Sequence, residues 1–155
     1  MVQSALYMCA ADSIEKDQEG PDYLPGKRRY MMLFYVCEHC GNFAIFLKKT
    51  ACTPVCCGEP MKELKAGTTD AAVEKHVPAV TVEGNKVHAV VGSVEHPMLD
   101  NHYIQFIALE TEKGFQVKNL APGQKPEADF LVADGDKAVA VYEYCNLHGL
   151  WKADI

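Results

Sequence analysis

The sequence predicts a mainly β protein, in which a small metal-knuckle unit precedes an immunoglobulin-like antiparallel β-sandwich. Three observations support this fold class. Two cysteine pairs, each followed by glycine, lie within about 20 residues in the first half of the chain. Short β-prone segments separated by turn residues fill the second half, and no segment has the sustained period of a long helix. The 155 residues, 48% hydrophobic and 23% charged, suit one medium domain or two small ones.

The composition restricts the class of partner. A net charge of −6 argues against nucleic acid or an anionic membrane as the main partner, because phosphate neutralisation needs clustered Lys and Arg. No apolar run approaches the roughly 20 residues that span a bilayer. The seven Cys are an odd number, which excludes a complete disulfide framework. In a reducing cytosol, clustered thiols more often hold metal.

Residues 1–30 are expected to form a poorly ordered extension. They contain no Lys or Arg before Lys16 and turn acidic after Ala11, so a secretory signal is not expected and the protein is predicted to be cytoplasmic. Gly and Pro residues then precede a basic triplet at residues 27–29. The segment is either a tail without chemistry or a docking arm for a partner. Cys9 stands alone here and is not assigned as a ligand.

Residues 31–66 are predicted to form the small unit. A β-prone run at residues 30–36 leads into the first cysteine pair, and an alternating strand at residues 43–49 follows it. Glycine behind each pair lets the backbone curl so that both thiolates of the pair face one cation. The four candidate ligands are Cys37, Cys40, Cys56 and Cys57.

Four thiolates form a closed tetrahedral site that accepts either iron or zinc. A unit of this size cannot hold itself together by apolar burial, so the metal must supply much of its folding free energy. Cys52 lacks a trailing glycine, and it is left unassigned. His39 is interpreted as an exposed loop residue.

Residues 67–155 are predicted to form the β-sandwich. A linker at residues 62–69 and a one-turn helix at residues 70–75 lead into strands that Gly-, Asn-, Asp- and Pro-containing turns separate. The predicted strands are Ala79–Glu83, Lys86–Val91, Tyr103–Glu112, Phe115–Leu120, Ala128–Val132 and Ala138–Tyr144.

Four histidines and one cysteine lie at the boundaries of these elements, where side chains can leave the core and face a shared site. The five are His76, His96, His102, Cys145 and His148. Five ligands are too many for tetrahedral structural zinc, and they leave one octahedral position open, as in a redox-active iron site. His88 lies mid-strand at a surface position and is left out.

These motifs resemble the desulfoferrodoxin family of two-iron superoxide reductases over about residues 35–155. The two cysteine pairs resemble the desulforedoxin-type, rubredoxin-like iron domain. Three further motifs resemble the neelaredoxin-like superoxide reductase domain, and they are Glu74-Lys75-His76-Val-Pro, Gly92-Ser-Val-Glu-His96-Pro-Met and Tyr144-Cys145-Asn-Leu-His148-Gly-x-Trp151-Lys. The departures are the amino-terminal extension, the extra Cys52, and Tyr103 and Phe106 where more Trp is expected.

The resemblance implies two iron ions per chain: an Fe(Cys)4 centre, and a second iron with four equatorial His, axial Cys145 and a sixth position open to superoxide. It further implies that Glu74 can occupy the open position in the oxidised enzyme and that Lys75 assists the substrate. The implied reaction reduces superoxide to hydrogen peroxide without oxygen release. A rubredoxin-like protein would supply electrons, and two small units would pair in a homodimer.

Two other functions remain open from the residues alone. One is a non-enzymatic zinc- or iron-binding module with an immunoglobulin-like interaction domain. The other is a cytosolic dithiol oxidoreductase that uses Cys37 and Cys40.

Overall fold

The structure, a computed structural model, describes residues 32–155. The expected extension at residues 1–30, with Cys9, lies outside the described residues. Within residues 32–155 the regular secondary structure is almost all β-strand, with one short helix, as the sequence predicts. No helix in this range has the length and apolarity needed to cross a bilayer.

Five short strands make up the first part of the described chain: β1 (Leu33–Val36), β2 (Phe43–Phe46), β3 (Val55–Cys56), β4 (Glu59–Pro60) and β5 (Lys62–Leu64). Strands β2, β1 and β5 form an antiparallel sheet in that order, and β3 and β4 pair as a hairpin. The two cysteine pairs lie at the same end of this small sheet.

Helix α1 (Val73–His76) then leads into seven strands: β6 (Pro78–Glu83), β7 (Lys86–Val91), β8 (Ile104–Thr111), β9 (Phe115–Asn119), β10 (Glu127–Leu131), β11 (Ala138–Cys145) and β12 (Gly149–Asp154). They form a three-stranded sheet, in the order β10-β7-β6, and a four-stranded sheet, in the order β12-β11-β8-β9. All pairings are antiparallel, which confirms the predicted β-sandwich.

The six strands predicted for this region are present, with bounds that shift by at most one residue. The predicted helix at residues 70–75 lies at Val73–His76. No strand is predicted after Ala138–Tyr144, and this is wrong, because β12 follows β11. Strand β12 is hard to predict from the sequence because the adjacent residues Leu150 and Trp151 are both buried, so buried and exposed residues do not alternate.

Strand β11 carries two different packing surfaces. Val141 and Cys145 point into the core between the two sheets of the sandwich. Ala140 and Tyr142 point the other way, into a second cluster shared with Met32 and Phe34 of the small unit, and Tyr144 packs against that cluster. The alternation of a strand therefore places Cys145 inside the sandwich and its neighbour against the small sheet.

Glu143 also lies on β11, and it is fully buried without a hydrogen-bond partner for either carboxylate oxygen among the described residues. Strand alternation places it on the same face as Val141 and Cys145. Burial raises the pKa of Glu143 to about 9. The folded protein therefore holds this side chain neutral at pH 7, whereas the unfolded chain ionises it.

We expect Glu143→Gln to stabilise the protein increasingly as pH rises. A raised folded-state pKa means that folding takes up a proton between pH 4.5 and about 9, so the wild type loses stability as pH rises through this window. Between pH 6 and pH 8 the wild type should lose about 3 kcal/mol relative to the variant. The measurement is the free energy of unfolding by denaturant. Exposed Glu83→Gln serves as the control, and parallel pH profiles for Glu143→Gln and wild type would contradict the assignment.

Candidate metal centres

The first cysteine pair is held by a tight turn after β1. Gly41 N–H donates to the Cys37 carbonyl at 2.9 Å, and Cys37 N–H donates to the Asn42 carbonyl at 2.8 Å. Gly41 has φ +75°, which glycine adopts without the steric cost that other residues meet. The turn brings the Cys37 and Cys40 side chains to one side.

The second pair occupies the hairpin between β3 and β4. Cys57 and Gly58 are its two central residues, with φ values of 54° and 84°. Two positive φ values match a type I′ turn, whose twist suits a two-residue hairpin. Cys57 is the non-glycine residue with positive φ among the described residues, and such a conformation is uncommon enough to indicate a functional constraint.

The four sulfurs form a compact group with donor atoms within 4.8 Å of one another. Cys56 Sγ lies 3.6 Å from Cys40 Sγ and 3.9 Å from Cys57 Sγ, too far for disulfides, and all four thiols are free. A tetrahedron with edges of this length has its centre about 2.2–2.4 Å from each sulfur, close to the ~2.3 Å of a metal–thiolate bond. The group fits a tetrahedral metal ion.

The pKa values of two of these thiols also indicate a site for a cation. The pKa of Cys37 is lowered to about 7, chiefly by the backbone N–H of Cys40. The pKa of Cys57 is raised to about 12, chiefly by its hydrogen bond with Cys40. Four neighbouring thiolates therefore repel one another unless a cation lies among them. Asn42 Nδ2 donates to Cys56 Sγ at 3.4 Å and helps to orient that ligand.

The second group brings together the five predicted donors, again within 4.8 Å of one another. They come from separate segments, each at the end of an element: His76 ends α1, His96 and His102 lie between β7 and β8, Cys145 ends β11, and His148 lies in the turn before β12.

The four imidazole rings form a closed cycle. Successive ring centroids in the order His76, His96, His102, His148 are 4.7 to 4.9 Å apart, and neighbouring rings are nearly perpendicular, at 72° to 79°. His148 Nδ1 lies 3.0 Å from His76 Nε2 and 3.2 Å from His102 Nε2. A square whose edges have these lengths has its centre about 2.1–2.3 Å from each corner. This is near the ~2.0–2.1 Å of a metal–imidazole bond.

Backbone carbonyls fix which ring nitrogen faces the centre. His76 Nδ1 donates to the Ala72 carbonyl at 2.7 Å, and His96 Nδ1 donates to the Pro97 carbonyl at 2.6 Å. In each ring Nε2 then carries the lone pair, the tautomer that a metal ligand requires. His96 Nε2 is buried without a hydrogen-bond partner among the described residues, a costly arrangement that a bound cation would relieve.

Burial keeps these imidazoles neutral. It lowers the pKa of His96 to about 4 and also lowers the pKa values of His76 and His102. The neutral imidazole that results is the form that binds metal. Burial raises the pKa of Cys145, although the backbone N–H groups of Leu147 and His148 oppose this shift. A positive ion beside Cys145 would favour its thiolate form. The chemistry of this donor set therefore fits a metal that accepts imidazole and thiolate together.

Two residues outside the donor set orient it. Trp151 stacks on His76 at 5.0 Å, and its Nε1 donates to the His148 carbonyl at 3.0 Å. The Asn146 side chain accepts from Tyr103 N–H at 2.9 Å and donates to the Asn101 carbonyl at 3.0 Å. Asn146 thereby ties the segment around His102 to the turn that follows Cys145. The role of Asn146 was not predicted, because it depends on a contact between distant segments.

Gly92, immediately after β7, supports α1 through a close approach of two backbones. A Cβ atom at Gly92 would lie 2.6 Å from the Val94 carbonyl oxygen, 2.7 Å from that of Lys75 and 2.8 Å from that of Glu74. Gly92 N–H also donates to the Val77 carbonyl at 3.2 Å, and Val94 N–H donates to the Glu74 carbonyl at 3.0 Å. Only glycine fits between these groups.

The predicted catalytic residues lie on α1 and are exposed. Lys75 lines a cavity whose wall also includes His96, one of the five donors of the second group. Glu74 is not among the residues that line this cavity. Its backbone carbonyl accepts from Ser93 Oγ at 3.3 Å and holds α1 against the following loop.

The unassigned Cys and His among the described residues belong to neither donor group. His88 forms a 2.8 Å contact with Asp129 on the sandwich surface, in agreement with its expected surface position. His39 is exposed in the first knuckle. Cys52 belongs to neither group of ligands.

The fold and the donor sets define the class of this protein: a mainly β chain that fits two iron centres, one closed by four thiolates and one with four imidazoles and a thiolate. The chain belongs to the desulfoferrodoxin family. Residues 31–64 match the family model for the desulfoferrodoxin N-terminal domain, and residues 68–154 match the model for desulfoferrodoxin.

Individual relatives extend over most of the chain. It is 49% identical over 120 residues to the desulfoferrodoxin of Nitratidesulfovibrio vulgaris, covering 77% of this chain and 94% of the relative. It is 43% identical over 123 residues to a desulfoferrodoxin homolog of Archaeoglobus fulgidus, covering 79% and 97%. Its fold resembles the crystal structure of the superoxide reductase from Treponema pallidum, with a TM-score of 0.71, 33% identity, and coverage of 81% and 99%.

We expect Gly92→Ala to displace α1 and to weaken metal binding at the second centre. The new Cβ would meet three backbone oxygens that cannot rotate away, so the free energy of unfolding should fall by about 2–4 kcal/mol. Gly84→Ala is the matched control, since it has φ +61° but nothing within 4 Å. It should cost about 1 kcal/mol through φ strain alone. The measurements are denaturant unfolding and iron content, and equal effects of the two variants would contradict this role of Gly92.

Proposed function

We propose that this protein is a superoxide reductase, which adds one electron and two protons to superoxide and forms hydrogen peroxide without releasing oxygen. The observation that carries the proposal is the cycle of four imidazoles beside Cys145, with Lys75 and His96 lining one cavity. Membership of the desulfoferrodoxin family and the resemblance to a superoxide reductase structure support it.

The residues that would hold the second iron are His76, His96, His102, His148 and Cys145. When bound, a ferrous ion supplies the electron and a positive charge that attracts an anion. The neutral imidazoles leave this charge uncompensated, and the Cys145 thiolate adds electron density that favours electron donation. Trp151 and the Ala72 and Pro97 carbonyls hold the rings in place, so the donor set needs little reorganisation during the reaction.

Lys75 is proposed to attract superoxide and to orient the water that delivers the first proton. Its exposed ammonium group beside the cavity gives a local positive charge on a chain with net charge −6. Glu74 is proposed to cover the open position in the oxidised protein. The backbone of α1 is held by the bond from Val94 N–H to the Glu74 carbonyl, and the exposure of both side chains leaves them free to move.

The four-cysteine centre is proposed to accept electrons from a rubredoxin-like protein in the cytoplasm. Cys40 and Cys57 are exposed, so an electron donor could approach this centre closely. We further propose that residues 31–66 and 67–155 act as separate functional domains within a homodimer, with the first domain receiving electrons and the second reducing superoxide. The packing of Phe34 against Tyr142, with ring centroids 4.9 Å apart, supports a fixed arrangement of the two domains.

The stoichiometry of the reaction tests the proposed function. Protein purified without oxygen should contain two iron atoms per chain, and the prereduced form should yield one hydrogen peroxide per superoxide with no oxygen. A dismutase would instead form half as much peroxide and release oxygen. Cys145→Ser should abolish the reaction while leaving the visible spectrum of the four-cysteine centre. A colourless zinc protein, or oxygen release, would contradict the proposal.

We expect Lys75→Ala to slow the reaction with superoxide about tenfold at low ionic strength and to flatten its salt dependence, because a local cation attracts the anion. The variant should retain both irons, since Lys75 is exposed and not a proposed ligand. Lys75→Arg, which keeps the charge, should restore most of the rate. The measurement is pulse radiolysis at several salt concentrations. An unchanged rate for Lys75→Ala would show that Lys75 does not act in this way.

A further inference from the structure

The cavity beside the second centre has a volume of about 440 Å³ and two cationic walls. Lys75 from α1 forms one wall, and Lys125 from the loop between β9 and β10 forms another. His96, a proposed iron ligand, also lines the cavity. The lining also includes a single carboxylate, that of Glu95. The approach to the centre is thus more cationic than one lysine would make it.

The loop that carries Lys125 is hydrogen-bonded to the segment that carries His96, because Gly123 N–H donates to the Met98 carbonyl at 2.7 Å. Within the loop, Ala121 N–H donates to Gln124 Oε1 at 2.8 Å. On the other side, Val91 N–H donates to the Pro126 carbonyl at 2.8 Å. These bonds fix the base of the Lys125 side chain relative to the cavity.

The local sequence restricts Lys125 further. It precedes Pro126, which disfavours helical geometry and holds the Lys125 backbone extended. The Lys125 carbonyl accepts from Glu127 N–H at 2.8 Å. The carbonyl end of the residue is therefore held, while the side chain is exposed and lines the cavity.

Neither cavity lysine forms an ion pair with another described residue. Other lysines do: Lys62 binds Glu38 at 2.7 Å, and Lys152 binds Asp154 at 2.6 Å. An ion pair would cancel most of the field of a lysine at a distance. The charges of Lys75 and Lys125 therefore remain available to an anion that enters the cavity.

We propose that Lys125 is a second anion-guiding residue, which together with Lys75 forms an entrance for small monovalent anions such as superoxide. This inference rests on the proposed function and adds a residue to it. A sphere of about 440 Å³ is about 9 Å across, so an anion in the cavity lies within roughly one Debye length of both ammonium groups at 0.1 M salt. Both lysines then raise the local concentration of the anion in the cavity that His96, a proposed iron ligand, also lines.

The experiment uses the full-length, iron-loaded protein and measures the second-order rate constant for superoxide at several ionic strengths. Lys125→Ala should lower this constant about two- to fourfold at low salt, as expected for one unit charge at this range, and the difference should vanish towards 1 M salt. Lys125→Glu should lower it further, and Lys125→Arg should restore it. Equal rates for Lys125→Ala and wild type at low salt would overturn the proposal.

Lys86→Ala is the matched control for the change in net charge. Lys86 is exposed at the start of β7. Val91, which bonds to the carbonyl of Pro126 next to Lys125, lies five residues further along this strand, or about 17 Å away. This variant should leave the rate constant within experimental error of wild type. If it lowered the rate as much as Lys125→Ala, the effect would belong to net charge, and the proposal would fail.

Ligand binding gives a readout that does not depend on catalysis. Azide, a small monovalent anion, should bind the ferric form of Lys125→Ala two- to fourfold more weakly at low salt, as followed by the visible spectrum. Nitric oxide is neutral, and it should bind the ferrous form of both proteins at the same rate. Weaker binding of both ligands would indicate a displaced loop and would overturn the electrostatic role.

The outcomes also separate this inference from the proposed function. If wild-type protein with two irons does not reduce superoxide, the proposed function fails, whatever azide shows. If the wild type does reduce superoxide while Lys125→Ala keeps the wild-type rate and azide affinity at low salt, only the role of Lys125 fails.

Discussion

The structure depends on one constraint: five donor atoms from separate segments must converge within 4.8 Å. No single element can meet this requirement, because one strand or one turn of helix presents at most two side chains to a point. The sandwich meets it by ending α1, β11 and the loop before β8 at the same edge. Backbone bonds then hold these ends together, as when Val94 N–H donates to the Glu74 carbonyl and Asn146 ties the segment around His102 to the turn after β11. Imidazoles held this close, with lone pairs directed at one point, are unfavourable neighbours unless a cation offsets their repulsion. Metal binding and the packing of this edge therefore stabilise each other.

The two centres are linked through β11. One face of this strand carries Cys145 into the sandwich, and the other places Tyr144 against Phe43, with ring centroids 5.0 Å apart. Phe43 follows the first knuckle directly, and its ring also meets that of Phe106 at 4.9 Å. A small unit with little core of its own thus gains apolar burial from the sandwich, in addition to the folding free energy that its metal supplies. Packing and metal binding act on the same few residues, so the position of the first centre is defined relative to the second.

Local patterns predict the cysteine knuckles and most strands because their causes are local. Glycine behind each cysteine pair permits the turn, and alternation with turn residues marks β6 to β11. The nine proposed donors lie in recognisable motifs at element boundaries, and the structure brings them together in two groups. Strand β12 was missed because its two faces pack against different partners: Leu150 joins the cluster beneath the small sheet, whereas Trp151 stacks on His76. Gly92 and Lys125 matter through contacts between segments distant in sequence, which a single sequence does not reveal. Glu143 could have been placed on the face of Cys145 by strand alternation, but its missing hydrogen-bond partners depend on the packed core.

The acidic composition and an anionic substrate are compatible because fields in salt solution are local. At physiological ionic strength the Debye length is about 8 Å, so most of the net charge of −6 is screened at the entrance to the second centre. What a small anion meets there is set by the few groups that line the cavity, of which two are lysines and one is a glutamate. Burial adds to this effect, because the neutral imidazoles of His76, His96 and His102 leave the charge of a metal among them uncompensated. Burial also keeps Glu143 neutral. If Glu143 were ionised, it would add negative charge on the strand face that carries Cys145. The electrostatics of the site therefore depend on burial and on the charged side chains of the cavity lining, and only weakly on the overall charge of the chain.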